Sequence, residues 1–405
     1  MRPVRASEKS KYHEKKIHWL VALQLVWFAK NSRDLPWRRT RDPYAIWVSE
    51  IMLQQTQVKT VIPYWERWMR ELPTIESLAG ASSEKIHKLW EGLGYYTRVR
   101  NMQKAAQFII AHHAGKFPEK FDDVLALPGI GRYTAGAICS IAFNQPTPIL
   151  DGNVIRVLTR VFAITEDPRD KVTNARLWSL AEELVAHVAQ PSRLRVHRAS
   201  RSVLQPGGET PPKLAGGDAC ATETSACNTN SCSSLNQSLM ELGALICTPR
   251  SPQCLICPIA KHCCARQLNR VEDFPNLGKR VEITERRFAA FVVEHDGSFL
   301  VRQRPADVVN AHLWEFPNIE VSHPKTEMAD LAKTVLGFAP KTFQSLGTIR
   351  HSITRYRITL EAFSVNGIQK PRRLPSGHWL PLTELQKLSF PSAHRKILQR
   401  IQKTI

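Results

Sequence analysis

Apolar residues recur at intervals of three and four through most of the first 190 positions. The run IHWLVALQLVWFAK (17–30) is one such stripe, and 46–62, after the break at Asp42-Pro43, is a second. Further stripes at 82–91, 98–112, 133–143 and 173–189 extend the pattern, and little in this region alternates as a strand does. The periodicity predicts a helical domain over 16–266, preceded by a basic tail at 1–15. Residues 191–234 interrupt it: Pro, Gly, Ser and Thr dominate, and such a segment buries too little apolar surface to offset its ordering entropy. A disordered insert is expected there, with helix resuming at 236–248. Beyond a polar linker at 267–285 the character changes. RRFAAFVVEHDGSFLVRQR reads as strand, Asp-Gly turn, strand; RYRITLEAFSV is another strand; 326–336 and 391–403 read as helices. Residues 286–405 are therefore expected to form a separate α+β domain.

One position runs against this pattern. In IWVSEIMLQQTQV (46–58), Glu50 lies among Ile46, Trp47, Met52 and Leu53, with no basic residue one helical turn away. A carboxylate buried without compensation is costly, so it shifts its pKa or has chemistry to perform.

Composition narrows the chemistry. The chain has 405 residues, too many for one ordinary core, with a net charge of +20 and 43% hydrophobic residues. A pI near 9.8 argues for a polyanionic partner. Basic residues interleaved with aromatics, as in LPWRRTRDPY and GLGYYTRVRN, favour nucleic acid over a membrane surface. No apolar run reaches the roughly 20 residues of a membrane span, and the basic, polar N-terminus does not read as a secretory signal. A cytoplasmic, nucleoid-associated bacterial protein is expected, in preference to a mitochondrial one.

Three stretches carry candidate chemistry. CTPRSPQCLICPIAKHC sets Cys247, Cys254, Cys257 and Cys263 in a C-x6-C-x2-C-x5-C spacing; four thiolates in so short a loop suit either zinc or an iron–sulfur cluster. LPGIGRYTAGA (127–137) places Gly129 and Gly131 before a helix start, where backbone N–H groups can meet a phosphate. In PILDGNVIRVLTR (148–160), Asp151 is a favoured N-cap for a helix beginning near Gly152.

Together these stretches resemble the helix-hairpin-helix DNA glycosylases of the endonuclease III superfamily. The resemblance implies a [4Fe–4S] cluster on the four cysteines, with Cys264 outside the ligand set, and a sequence-independent grip on DNA phosphates by the hairpin. Bifunctional relatives carry a lysine where this chain has Tyr133, and a tyrosine forms no Schiff base. With VSEIMLQQTQV, the resemblance narrows to the adenine DNA glycosylases of the MutY type, over roughly 16–190 and 235–400. It implies a monofunctional enzyme acting on duplex DNA with A:8-oxoguanine or A:G mispairs, in which Glu50, Tyr133, Asp151 and Asn153 occupy active-site positions. Adenine leaves well only when protonated. Glu50 is therefore expected to be the general acid, its pKa raised by apolar surroundings, and Asp151 the ionised stabiliser of the sugar cation. The target base must be flipped out. The resemblance assigns Gln55 and Tyr95 as wedges beside the 8-oxoguanine, Gln237 as a contact to the extruded adenine, and Trp37 and Arg38 as pocket lining.

The segment LWEFPNIEV resembles the Nudix fold, but DLAKTVLG (330–337) lacks the glutamate-rich metal box, so this domain is expected to recognise rather than hydrolyse. Where the family reads 8-oxoguanine with Phe-Ser-His, this chain offers Ile353, Thr354 and Arg355, a departure that bears on selectivity for the lesion. Cys220, Cys227 and Cys232 are expected to be free thiols of the insert, and Cys139 a core residue. The expected fold is thus a mainly α helix-hairpin-helix glycosylase domain with an iron–sulfur loop, plus a C-terminal α+β Nudix-like domain, acting as a monomer. A bifunctional pyrimidine glycosylase/lyase and a non-catalytic DNA-binding protein are the competing readings. Tyr133 opposes the first and the two carboxylates oppose the second.

Overall fold

The computed structural model describes residues 6–189, 231–278, 282–322, 326–353, 355–366 and 377–404. By internal contacts the chain forms two compact units, each assembled from separated segments. The first comprises Met1–Asp34, Glu119–Leu125 and Gly131–Leu277; the second comprises Leu35–Pro118, Ala126–Ile130 and Gly278–Ile405.

The first unit is helical. Its centre is the helix Cys232–Leu245, against which Ala6–Asn31, Arg132–Phe143, Gly152–Phe162 and Lys171–Ala189 all pack. Leu235, Ser238 and Leu242 are fully buried there, and small residues let the neighbours approach closely. A Cβ added at Gly243 would stand 2.6 Å from the Cβ of Asn153, so the backbone contact of these two helices depends on that glycine. The one buried acid of the central helix, Glu241, is held by Arg33, whose Nε and Nη2 donate at 2.8 and 2.7 Å while its backbone N–H donates at 2.9 Å. This bidentate pair offsets the desolvation of both charges.

The helix begins at Cys232, capped by the Ser231 side chain, which accepts from Ser234 N–H. Cys232 is therefore a buried core residue of a helix, contrary to its expected place in the insert. The apolar spacing of Cys232, Leu235, Leu239 and Leu242 was obscured by the serines between them. Cys220 and Cys227 lie outside the described residues.

The second unit joins the helices Pro43–Leu53, Val58–Glu71, Ile75–Ala79, Ser83–Trp90 and Thr97–His113 to the C-terminal strands. The stripe at 46–62 is two helices rather than one. Gln54 leaves helical geometry and Gln55 turns left-handed (φ 56°), which breaks the helix before Val58. Asp42 caps the first of them, its carboxylate accepting from Tyr44 and Ala45 N–H, with Pro43 at the first helical position. An aromatic core of Trp47, Trp68 and Trp90, all fully buried, fixes the helices. Trp68 Nε1 donates to Tyr44 Oη at 3.1 Å and Tyr44 Oη to Leu72 O at 2.8 Å, while the buried Trp47 Nε1 has no acceptor among the described residues.

The C-terminal strands are β1 (Thr284–His295), β2 (Ser298–Gln303), β3 (Trp314–Glu315), β4 (Asn318–Glu320), β5 (Thr342–Ile353), β6 (Tyr356–Asn366) and β7 (His378–Pro381). They form a sheet of order β3-β2-β1-β6-β5, with β4 on β1 and β7 on β2. Only the β1–β6 pairing is parallel. Both faces are covered, which explains the unbroken apolar run FAAFVV in β1. Ala289, Phe291 and Val293 face the helix Met328–Leu336, whereas Ala290 and Val292 face the helix Ser392–Thr404.

Within the same unit a carboxylate clasp ties the strand domain to the helix Ser83–Trp90. Glu91 accepts from Phe390 N–H at 3.1 Å, from Lys88 Nζ at 3.0 Å and from Arg395 at 3.3 Å. Lys88 also donates to the carbonyls of Gln386 and Leu388.

Candidate active site and iron–sulfur loop

In the first unit Asp151 stands at the entrance of the helix Gly152–Phe162. Its Oδ1 accepts from Val154 N–H at 2.8 Å, which makes it the N-cap. Its Oδ2 accepts from Asn153 Nδ2, also at 2.8 Å. The orientation of the Asn153 amide is fixed from the other side, because Arg156 Nη2 donates to its Oδ1 at 2.8 Å. Arg156 in turn donates to Gly243 O and Cys247 O, both at 2.7 Å. A run of hydrogen bonds therefore leads from the Asp151 carboxylate to the backbone of the first cysteine in the loop.

Burial pushes the Asp151 pKa up, while the Val154 and Asn153 donors and the Arg156 charge pull it down. Ionisation of Asp151 is thus costly in this setting, and its hydrogen-bond donors offset part of that cost. Tyr133, one residue into the helix Arg132–Phe143, directs its hydroxyl at Met240 Sδ (3.4 Å), and Gly131 is that helix's N-cap. Gln237 lies on the central helix, its Nε2 donating to Ser233 Oγ at 3.1 Å. Asp151, Asn153, Tyr133 and Gln237 belong to one unit.

The second unit holds Glu50, Gln55, Tyr95, Trp37, Arg38, Gly129, Ile353 and Arg355. Every residue of the helix Pro43–Leu53 from Tyr44 to Met52 is buried, and Glu50 is 4% exposed. The acid that broke the apolar pattern is indeed enclosed. Gln55 and Tyr95 both adopt left-handed backbone conformations (φ 56° and 48°), and both side chains are exposed, Tyr95 at 43%. Trp37 is buried edge-on against Trp65, with Arg38 beside it in the chain. Gly129 has φ 78°, and a Cβ there would meet Asn101 at 2.5 Å, so the turn requires glycine on both counts. Ile353 ends β5 and Arg355 lies in the turn to β6, where its Nη2 donates to Tyr356 Oη at 3.0 Å. Thr354 lies outside the described residues. The helix Met328–Leu336 carries a single carboxylate, Asp330, and no glutamate.

Cys247, Cys254, Cys257 and Cys263 line one pocket with Val157, Arg160 and Leu242. Cys264 faces away from it and accepts from Lys16 Nζ at 3.1 Å. Among the described residues no three ligand-type side chains converge on one point. Burial pushes the Cys257 thiol up to about 12 and raises Cys254 and Cys263 as well, so thiolates here need nearby positive charge. Arg160 supplies part of it. The residue is 1% exposed, donates through Nη1 to Cys247 Sγ at 3.3 Å and Thr248 O at 2.8 Å, and has no partner for Nη2 among the described residues. A buried donor without an acceptor beside four thiols fits a sulfide-bearing group in the pocket.

Arg156 and Arg160 carry these arrangements, yet nothing in the residue pattern singles them out. Their partners are mostly backbone carbonyls distant in the chain, which leave no trace in residue spacing.

Known proteins match this organisation. Residues 48–183 match the HhH-GPD superfamily of base excision DNA repair proteins. Residues 247–263 match the iron–sulfur binding domain of endonuclease III, and 288–400 match the NUDIX domain. The loop that contains the four cysteines is accordingly an iron–sulfur binding motif, and the cofactor of this family is a [4Fe–4S] cluster. An adenine DNA glycosylase from Rattus norvegicus is 33% identical over 435 residues, covering 93% of this chain and 76% of the relative. The Homo sapiens enzyme of that name is 33% identical over 442 residues, covering 93% and 73%. One from Buchnera aphidicola subsp. Acyrthosiphon pisum is 29% identical over 387 residues, covering 95% and 97%. With a hairpin glycosylase domain, an iron–sulfur loop and a Nudix-like domain in the same order, the chain belongs to the adenine DNA glycosylase family.

Proposed function

We propose that this protein removes adenine mispaired with 8-oxoguanine, or with guanine, by acid-assisted hydrolysis of the N-glycosidic bond in duplex DNA, and that it leaves the sugar–phosphate strand intact. Glu50, enclosed in an apolar helix, donates a proton to N7 of the extruded adenine. Loss of the base leaves a cationic sugar, which the Asp151 carboxylate stabilises or bonds to transiently until water attacks. Asn153 holds Asp151 in orientation, and Tyr133, which has no amine, directs the sugar without forming the imine on which strand cleavage depends. Gln55 and Tyr95 enter the stack beside the opposite base, Gln237 touches the extruded adenine, and Trp37 and Arg38 line its pocket. Ile353, Thr354 and Arg355 meet the 8-oxoguanine. The cluster stiffens a basic loop against the phosphates. The protein acts as a monomer.

The observation that carries this reading is the Asp151 carboxylate itself. One oxygen is spent on the helix cap and the other is gripped by Asn153, an arrangement that sustains an anion in a sheltered place. The test is incubation with duplexes bearing A:8-oxoguanine, A:G or an oxidised pyrimidine. Adenine release from the first two, with strand breaks appearing only after alkali, is expected. Nicking without alkali, attack on the pyrimidine, or binding with no base loss each contradicts the proposal.

A further inference from the structure

One guanidinium joins the two turns that carry Gln55 and Tyr95. Arg98 Nη1 donates to Ile51 O at 2.8 Å, to Gln54 O at 2.5 Å and, more weakly, to Met52 O at 3.4 Å. Its Nη2 donates to Leu93 O at 3.0 Å and Gly94 O at 3.2 Å. The first set are the last carbonyls of the helix Pro43–Leu53 and the residue just before Gln55; the second set immediately precede Tyr95. The guanidinium plane also lies over the rings of Trp90 (5.3 Å) and Tyr95 (5.6 Å). Trp90 Nε1 braces the same turn by donating to Gly94 O at 3.0 Å.

The local backbone needs such a brace. Gln55 and Tyr95 are non-glycine residues in the left-handed region, a conformation that persists only where the surroundings over-determine it. Five carbonyl oxygens from two turns also point inward at one place, an accumulation of negative partial charge that only a cation can offset. A planar fork with five donors can serve both turns at once, whereas an ammonium is a point donor and cannot. Burial lowers the Arg98 pKa to about 10, still well above neutrality, so the clamp stays charged under working conditions.

We infer that Arg98 is a positioning residue that locks Gln55 and Tyr95 at a fixed separation, so that the two exposed side chains enter a duplex as one rigid wedge. This inference rests on the wedge reading of those two residues given above. The clamp acts on base extrusion and leaves the bond-breaking groups alone. It should therefore govern how much adenine is everted and leave the protonation chemistry unchanged.

The test uses the full-length protein with its cluster, and Arg98→Lys and Arg98→Gln variants whose melting temperature and visible absorbance are measured first. A 2-aminopurine placed next to the target adenine reports extrusion by stopped-flow fluorescence, and single-turnover base release is followed across pH. Both variants should lose extrusion amplitude by about tenfold or more, as expected when an oriented group is released, while the shape of the pH–rate profile stays that of the native protein. Tyr95→Ala should cost much less in an Arg98→Lys background than alone, because the two changes remove the same wedge. If Arg98→Gln fails to fold, the Arg98→Lys and double-variant comparisons still decide. Native extrusion in the variants, a displaced pH profile, or full additivity with Tyr95→Ala overturns the inference. A native protein that neither extrudes nor releases adenine would instead sink the functional reading beneath it.

Discussion

Asn153 donates to Asp151 at 2.8 Å while its own carbonyl is taken by Arg156, so the amide cannot turn and always presents a donor to the carboxylate. This pair is where stability and chemistry oppose each other. A carboxylate sheltered from water is costly to ionise, and the protein sustains it with a helix cap, an amide and a neighbouring guanidinium.

Replacing Asp151 with Asn should separate the two demands. Asn remains a good N-cap but carries no charge. Because the folded-state pKa of Asp151 is raised by burial, the native protein loses stability as pH climbs from the unfolded carboxyl value of about 3.9 through the higher folded value. Asp151→Asn removes that loss but sets its own amide N–H2 against the Asn153 donor, so its melting temperature relative to the native protein should improve steadily as pH rises from about 4 to 8. Base release should fall by about a hundredfold or more. Melting curves across pH check the first statement, and single-turnover assays check the second.

Arg156 joins the helix of Asp151 to the cysteine loop through Gly243 O and Cys247 O. Arg156→Ala leaves these carbonyls and the Asn153 amide without their donor, at a cost of about 1–3 kcal/mol. The expected result is a lower melting temperature, faster bleaching of the visible cluster band under a chelator, and slower base release, all from one substitution. Loss of cluster retention with full activity would show that the two sites are not joined in this way.

Glu91 holds Phe390 N–H, Lys88 and Arg395 with a carboxylate only 12% exposed. Glu91→Ala should cost about 1–3 kcal/mol in that clasp, since Phe390 N–H loses its acceptor and two partly exposed cations lose their shared partner. Limited proteolysis should then release the strand domain, with cuts in 267–285, at protease levels that leave the native chain whole.

By resemblance to the family, Arg355 takes the place of a histidine. A guanidinium pairs well with O6 and N7 of guanine, but N7 of 8-oxoguanine carries a proton and no longer accepts. Arg355→His should raise the preference for A:8-oxoguanine over A:G by about tenfold, measured as the ratio of single-turnover rates on the two duplexes. An unchanged ratio would remove Arg355 from the recognition surface.

Much of this was legible in the residues. Glu50 was conspicuous because a buried helix stripe rarely contains an acid, and the helix Pro43–Leu53 does enclose it. Asp151 was readable as a cap because the helix after it starts where Gly152 permits. The cysteine spacing announced a shared centre. Other features escaped for identifiable reasons. The break at Gln54–Gln57 has no Pro or Gly, and its left-handed Gln55 is imposed by Arg98 from 43 residues away. The helix from Cys232 was hidden because serines supply its close packing and cap. The strand Thr342–Ile353 alternates poorly and is defined by its pairing with Tyr356–Asn366. The arginine clamps were invisible because they bind main-chain oxygens, which every residue possesses.

The most direct trial of the account is the release of free adenine from an A:8-oxoguanine duplex by Glu50→Gln, measured beside the native protein under single-turnover conditions with duplex affinity recorded for both. The account predicts native-like binding and a rate lowered by about a hundredfold or more in the variant. Undiminished adenine release by Glu50→Gln would contradict it, because the proton for the leaving base would then come from elsewhere.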